Sequence, residues 1–180
     1  VGCLHFANKG NIGIAFLDIS TGEFLVAEGQ ADYIDKLLTN FAPKEVLFQR
    51  GKRNEFISLF GNKFFTFELD DWMMTTNATL ERIYKQWQVN SIKGFGVDNL
   101  PNGVTAAGAI LYYLDATQHI QNGHIQQLSR IEEEKYVWLD RFTIRNLELV
   151  RGQNEDSRTL YDVLDHTITP MGGRMLHRWM

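Results

Sequence analysis

Five aspartates, Asp18, Asp70, Asp71, Asp98 and Asp115, are the groups in this chain best suited to metal chemistry. Carboxylates that converge on one point can hold a pair of Mg²⁺ ions, and such a pair drives phosphodiester hydrolysis. Asp18 closes an apolar run and is placed for a first ligand, so partners must come from the other four. The same residue has a simpler use. In Asp18-Ile19-Ser20-Thr21-Gly22 its side chain can accept hydrogen bonds from the backbone just ahead and fix a turn.

Other chemistry is harder to assemble. Arg50-Gly51-Lys52-Arg53 offers the Gly-Lys pair of a phosphate-binding loop. Val46 stands where such a loop needs its first glycine, and Arg53 where it needs Ser or Thr, so the motif is rejected. Lys44, Arg50, Lys52 and Arg53 read instead as a solvated basic face. Gly94-Phe95-Gly96 fails as a dinucleotide fingerprint, because its third glycine would fall at Asn99; tight backbone packing at a strand is the better reading. His5, His119, His124, His166 and His177 lack metal-ligand spacing, and no G-x-S-x-G elbow occurs. Cys3, the single cysteine, makes no internal disulfide and no thiolate zinc cluster, which suits a reducing cytoplasm.

The elements that would position these groups follow from periodicity. Residues 2–6, 12–19 and 23–27 are short apolar strands joined by Asn8-Lys9-Gly10-Asn11 and Ser20-Thr21-Gly22, which predicts an antiparallel meander. Ile34, Leu37, Leu38 and Phe41 mark a helix behind a candidate cap at Asp32, ended by Pro43. A strand at 45–48, a helix at 55–60 and a strand at 64–69 come next. Leu80, Ile83, Tyr84 and Trp87 then define one face of a helix. Residues 94–97 read as a short buried segment, and a longer helix runs from Pro101 to near His119. The expected fold is α/β, a mixed sheet with helices packed on it. RNase H-like nucleases begin in this way, which keeps a free-standing metal-dependent nuclease as the alternative reading.

From Asn122 to Lys135 the texture loosens, with Gly123 and the run Glu132-Glu133-Glu134, and a domain boundary is expected there. Beyond it, Leu160, Val163 and Leu164 mark a helical turn, and Thr169-Pro170 is a cap followed by an N1 proline. The chain has 180 residues, 44% hydrophobic and 22% charged, the balance of a globular protein. No apolar run approaches the roughly 18 residues that span a bilayer, and Val1-Gly2-Cys3-Leu4 is not a signal peptide. The missing initiator Met and a last helix without a C-cap predict an internal segment of a longer protein. Net charge is −4, with ten Lys/Arg against thirteen Asp/Glu in 1–120 and eight against nine in 121–180. Neither half carries the positive charge that drives nucleic-acid affinity, so weak or no DNA binding is expected of this chain alone.

At three places the residues say more than their chemistry. Phe16-Leu17-Asp18-Ile19-Ser20-Thr21-Gly22-Glu23-Phe24 resembles the strand–turn–strand of the connector domain in the MutS family. Gly94-Phe95-Gly96-Val97, followed by Ala106-Ala107-Gly108, Leu111 and Thr117-Gln118, resembles that domain's last strand and helix. Arg145-Asn146-Leu147-Glu148-Leu149, Thr159-Leu160, Val163-Leu164-Asp165 and Thr167-Ile168-Thr169-Pro170-Met171-Gly172, with Arg174, Leu176 and Arg178-Trp179, is similar to the start of the family's core domain. Gly173 is a departure that leaves the likeness standing.

The resemblance implies a connector domain of RNase H-like fold over 1–121, a linker over 122–135 and the truncated start of a helical core or lever domain over 136–180. It implies a non-catalytic segment of a DNA-dependent ATPase that couples mismatch-binding and ATPase regions in the cytoplasm. ATP and Mg are expected for the full-length parent and no cofactor within this segment. The implied partners are MutL and, through parts outside this chain, mismatched DNA and a second MutS subunit. The resemblance implies that the side of the connector meeting MutL includes the helix of Ile83. With Leu80, Ile83, Tyr84 and Trp87 turned to the sheet, Arg82, Lys85 and Val89 are expected to point away from it, flanked by Glu81 and Gln86. These five are the candidate partner surface.

Overall fold

A computed structural model describes residues 1–7, 10–117, 123–132, 139, 141–150, 152, 154 and 157–180. The chain forms two compact units, Val1–Glu132 and Glu133–Met180. The first is built on a six-stranded sheet of order β5-β4-β1-β2-β3-β6. Strands β1 (Gly2–Phe6), β2 (Ile12–Leu17) and β3 (Phe24–Gly29) are the expected antiparallel meander. Helix α1 (Ala31–Phe41) crosses to β4 (Glu45–Gln49), which lies parallel to β1. Helix α2 (Arg53–Phe60) then leads to β5 (Phe65–Leu69), parallel to β4. Parallel neighbours need a crossover, and a helix supplies it each time.

Strand alternation sends two sets of side chains to opposite faces. Leu4, Ile14, Phe16, Val46 and Phe48 are buried on one face, where Phe16 stacks on Phe41 of α1 and Phe48 on Phe56 of α2. Cys3, Ala15, Leu17, Phe24, Val26 and Leu47 form a core on the other with α3 (Thr76–Trp87) and α4 (Pro101–Ala116). Helix α4 is buried continuously from Gly103 to Leu111, because it lies on the sheet and is also covered by α3. Glycines let the backbones meet. A Cβ on Gly13 would fall 2.0 Å from the Asn102 carbonyl carbon, and one on Gly108 would fall 2.4 Å from Thr79 Cβ. Leu100, at the helix N-cap, offers no side-chain cap. Glu28 of β3 does this work from outside, accepting from the N–H of Asn102 at 2.8 Å and from its Nδ2 at 2.9 Å.

Several local expectations give way. Gln30, not Asp32, is the N-cap of α1, and Asp32 sits in the first turn where a carboxylate favours the helix dipole. Residues 94–97 are not a strand. Lys93–Phe95 is a 3-10 turn ended by Gly96 at φ +67°, and only Val97 of the segment is buried. The sheet's last strand is β6 (Leu128–Arg130), parallel to β3, inside the stretch expected as linker. Three residues are too few to show alternation, so only the open edge of β3 defines this strand. The expected end of α4 near His119 and the turn residues Asn8 and Lys9 lie outside the described residues.

In the second unit, α5 (Arg141–Asn146), α6 (Leu160–Leu164) and α7 (Pro170–Trp179) are short helices. Thr159 and Asp162 form a reciprocal capping box, and Thr169 Oγ1 accepts from the Gly172 N–H at 3.1 Å with Pro170 at N1. Among the described residues no helix is long and apolar enough to cross a membrane.

Candidate functional site

Helix α3 is held from beneath by Thr79 and Ile83, both fully buried, with Leu80, Tyr84 and Trp87 packed against the core, as the apolar spacing predicts. Trp87 Nε1 donates to the Ile125 carbonyl at 3.0 Å and ties the segment before β6 to this helix. On its flank Arg82 makes a bidentate contact to Asp115 of α4, Nε to Oδ2 at 2.6 Å and Nη2 to Oδ1 at 2.9 Å. Its Nη1 donates to Gln86 at 3.1 Å. The Arg82 side chain is only 11% exposed. Arg82 therefore locks α3 to α4 and does not project into solvent, contrary to the outward direction expected for it.

The exposed stripe is rotated from the expected one. Glu81 and Lys85 are exposed as foreseen, and Asn77 and Gln88 join them, whereas Gln86 is half-buried. The helix has two neighbours, sheet and α4, so its free arc is narrower than a helix lying on a sheet alone would keep. Val89 lies beyond the helix. Gln88 takes a left-handed conformation at φ 52°, and the Val89 N–H returns to the Tyr84 carbonyl. A local apolar and charge pattern can identify Glu81 and Lys85, but it carries no signal for Asp115 as a partner of Arg82.

The aspartates do not converge. Asp18 Oδ1 accepts from the Ser20 N–H at 2.9 Å and the Ser20 hydroxyl at 2.6 Å, the turn-fixing role read from the sequence. Partial burial alone would raise its pKa, but the bonds from Ser20 and Thr21 outweigh it and hold the carboxyl below its usual range. Asp70 pairs with Arg50 at 2.6 Å and Asp115 with Arg82, while Asp71, which opens a short 3-10 helix, and Asp98, in a turn, are exposed. Asp18 follows β2 and Asp70 follows β5; these strands are three spacings apart, about 14 Å, and run in opposite directions, so the two aspartates also stand at opposite ends of the sheet. Two-metal sites need ions about 4 Å apart. Among the described residues no group of three or more His, Cys, Asp or Glu is placed to hold a metal ion.

The basic cluster is dispersed in the same way. Arg50 is used by Asp70, and Lys52 pairs with Glu55 at 2.7 Å, while Lys44 and Arg53 are exposed. Burial pushes the Cys3 thiol strongly up, so it behaves as a small apolar residue. Burial also lowers the pKa of His5, whose bond with Asn102 and proximity to Glu28 oppose the shift. His124 Nε2 lies 2.6 Å from the Ile19 carbonyl, and His177 packs edge-on to Tyr161. His119 is outside the described residues.

Residues 2–126 match the family model for MutS domain II, and residues 142–180 match that for MutS domain III. The DNA mismatch repair protein MutS of Phocaeicola vulgatus is 60% identical over 98% of this chain, that of Bacteroides fragilis 59% over 98%, and that of Flavobacterium johnsoniae 56% over 97%. The chain spans about a fifth of the length of these relatives, 20% in each case. Together the two matches cover most of the chain, which belongs to the MutS family of DNA mismatch repair proteins.

Proposed function

We propose that residues 1–132 are the connector of a mismatch repair ATPase and that the helical unit opens its core domain. In this reading the segment has no chemistry of its own. It relays state between mismatch-binding and nucleotide-binding parts of the whole protein, where ATP and Mg act, and it docks MutL. A mixed sheet whose first three strands are antiparallel, with β4 and β5 parallel to β1, supports an RNase H-like scaffold used as a rigid body. The buried Cys3 thiol agrees with a reducing, cytoplasmic setting.

The observation that carries the docking surface is the stripe Asn77, Glu81, Lys85 and Gln88 on a helix fixed by Ile83 and by Arg82–Asp115. A polar face on a rigid element suits a modest regulatory interface. Arg82, Gln86 and Val89 border this stripe. The test exchanges two charges in the full-length protein, Glu81→Lys with Lys85→Glu, which keeps net charge and the i,i+4 pair but inverts the pattern. MutL affinity is expected to fall several-fold with an unchanged unfolding midpoint. Undiminished affinity in a normally folded double variant moves the interface off α3. The isolated chain is expected neither to hydrolyse ATP nor to prefer mismatched duplex, and tight, salt-sensitive mismatch binding would overturn that part.

A further inference from the structure

Strand β5 ends the sheet, and nothing among the described residues pairs with its outer side. Edge strands are commonly blunted by charged side chains, proline or bulges; Phe65-Thr66-Phe67-Glu68-Leu69 has no proline or bulge, and Glu68 is its one charge. Phe65 is 70% exposed and Phe67 48%, both on the face of β5 where Phe67 meets Tyr113 of α4 at 5.6 Å. The Arg50 N–H donates to the Leu69 carbonyl, so Leu69 turns its backbone groups towards β4. By two-residue alternation Phe65 and Phe67 do the same, and Thr66 and Glu68 present theirs outward.

The order of residues along this edge fits its own reverse. Lys63 precedes the strand, Phe67 is its centre, and Asp71 follows it. Antiparallel pairing of two such edges about a two-fold axis at Phe67 sets Thr66 opposite Glu68 of the other copy, and both carry outward backbone groups. Each carboxylate then faces a hydroxyl and not another carboxylate. Phe67 faces Phe67, and Phe65 faces Leu69, on one continuous apolar face. Lys63, which lies 3.8 Å from Asp35 of its own copy and stays part-exposed, comes to the strand end where Asp71 of the other stands, so charges are complementary in the antiparallel sense.

We propose that the β5 edge is a self-association surface, at which a second copy of this chain adds its own β5 antiparallel in the register centred on Phe67. The occupant is a second copy because register, apolar face and terminal charges are all met by the strand itself. One edge strand with its aromatic side chains lies at the small end of interface sizes, so association is weak, about micromolar or weaker. This surface is separate from the α3 stripe and does not depend on the MutL reading.

The register supplies the test. In an antiparallel ladder, facing residues outside the hydrogen-bonded pairs have Cα atoms about 4.5 Å apart, within disulfide reach. Mild oxidation of Phe67→Cys is therefore expected to give a covalent dimer of the 180-residue chain. Phe65→Cys, whose counterpart is displaced by four residues or about 14 Å, is expected to give little. Cys3 is buried and does not compete. In sedimentation of the unoxidised chain, Lys63→Glu and Asp71→Lys each weaken the dimer by roughly five-fold, and the double exchange restores it. This arm does not alter the aromatic contacts. A chain that stays monomeric at high concentration, equal cross-linking at 65 and 67, or a dimer indifferent to both exchanges would overturn the proposal.

Discussion

Replacing Gly108 by alanine sets two effects of opposite sign against each other. Gly108 lies in the interior of α4, where alanine ordinarily stabilises a helix by about 1 kcal/mol. The new methyl, however, would stand 2.4 Å from Thr79 Cβ and 2.7 Å from the Thr79 Cα and carbonyl oxygen. Apolar contacts settle at about 3.5–4.0 Å, so α3 must withdraw by roughly 1 Å. Two of the three obstructing atoms are backbone, and no rotamer can move them aside. The retreat loosens Ile83 from the core and strains the Trp87–Ile125 bond. Overpacking of this kind costs about 1–3 kcal/mol, and rigid backbone places it at or above the upper end. The expected balance is a net loss of about 2 kcal/mol, or about 8 °C in the melting midpoint for a unit of this size. Urea unfolding followed by far-UV circular dichroism, with wild type and variant side by side, measures it. Thr79→Ala should give no rescue, because its Cβ, Cα and carbonyl all remain. A Gly108→Ala protein as stable as wild type, or more so, would refute the tight α3–α4 contact.

Glu28→Ala removes the side-chain acceptor of the Asn102 and Gly103 N–H groups at the start of α4, together with its bond from Asn11, and should cost about 2 kcal/mol in the same assay; a loss below about 0.5 kcal/mol would mean that water caps the helix equally well. Arg82→Ala should cost about 1–2 kcal/mol through the bidentate contact to Asp115, whereas Lys85→Ala should stay within about 0.5 kcal/mol. Equal effects of those two would contradict the division of α3 into a locked flank and a free stripe. Asp18 has a native pKa below its unfolded one, so its contribution is present above the unfolded value and fades as pH falls through the native value. The stability gap between wild type and Asp18→Ala should therefore be constant near neutrality and close in acid; a gap that widens on acidification would reverse the sign.

Elements whose causes are local are legible in the chain alone. Dense apolar runs broken by Ser20-Thr21-Gly22 specify the meander, the spacing of Leu80, Ile83, Tyr84 and Trp87 specifies the buried face of α3, and Thr169-Pro170 specifies where α7 begins. Asp18 was legible as a turn residue for the same reason, since its partner Ser20 is two positions away. Family membership was legible because ordered motifs extend along most of the chain. Tertiary structure alone decided what depends on residues distant in sequence. Arg82 finds Asp115 thirty-three positions away, Glu28 caps a helix that starts after Leu100, and β6 is a strand only because β3 offers it an edge. The turn at Gly96 shows the same division, for its Gly-Phe-Gly-Val pattern resembles a strand while the chain must there bend towards α4. Periodicity records which side of an element is apolar. It cannot record which second element will cover a flank, and that contact set the exposed stripe of α3.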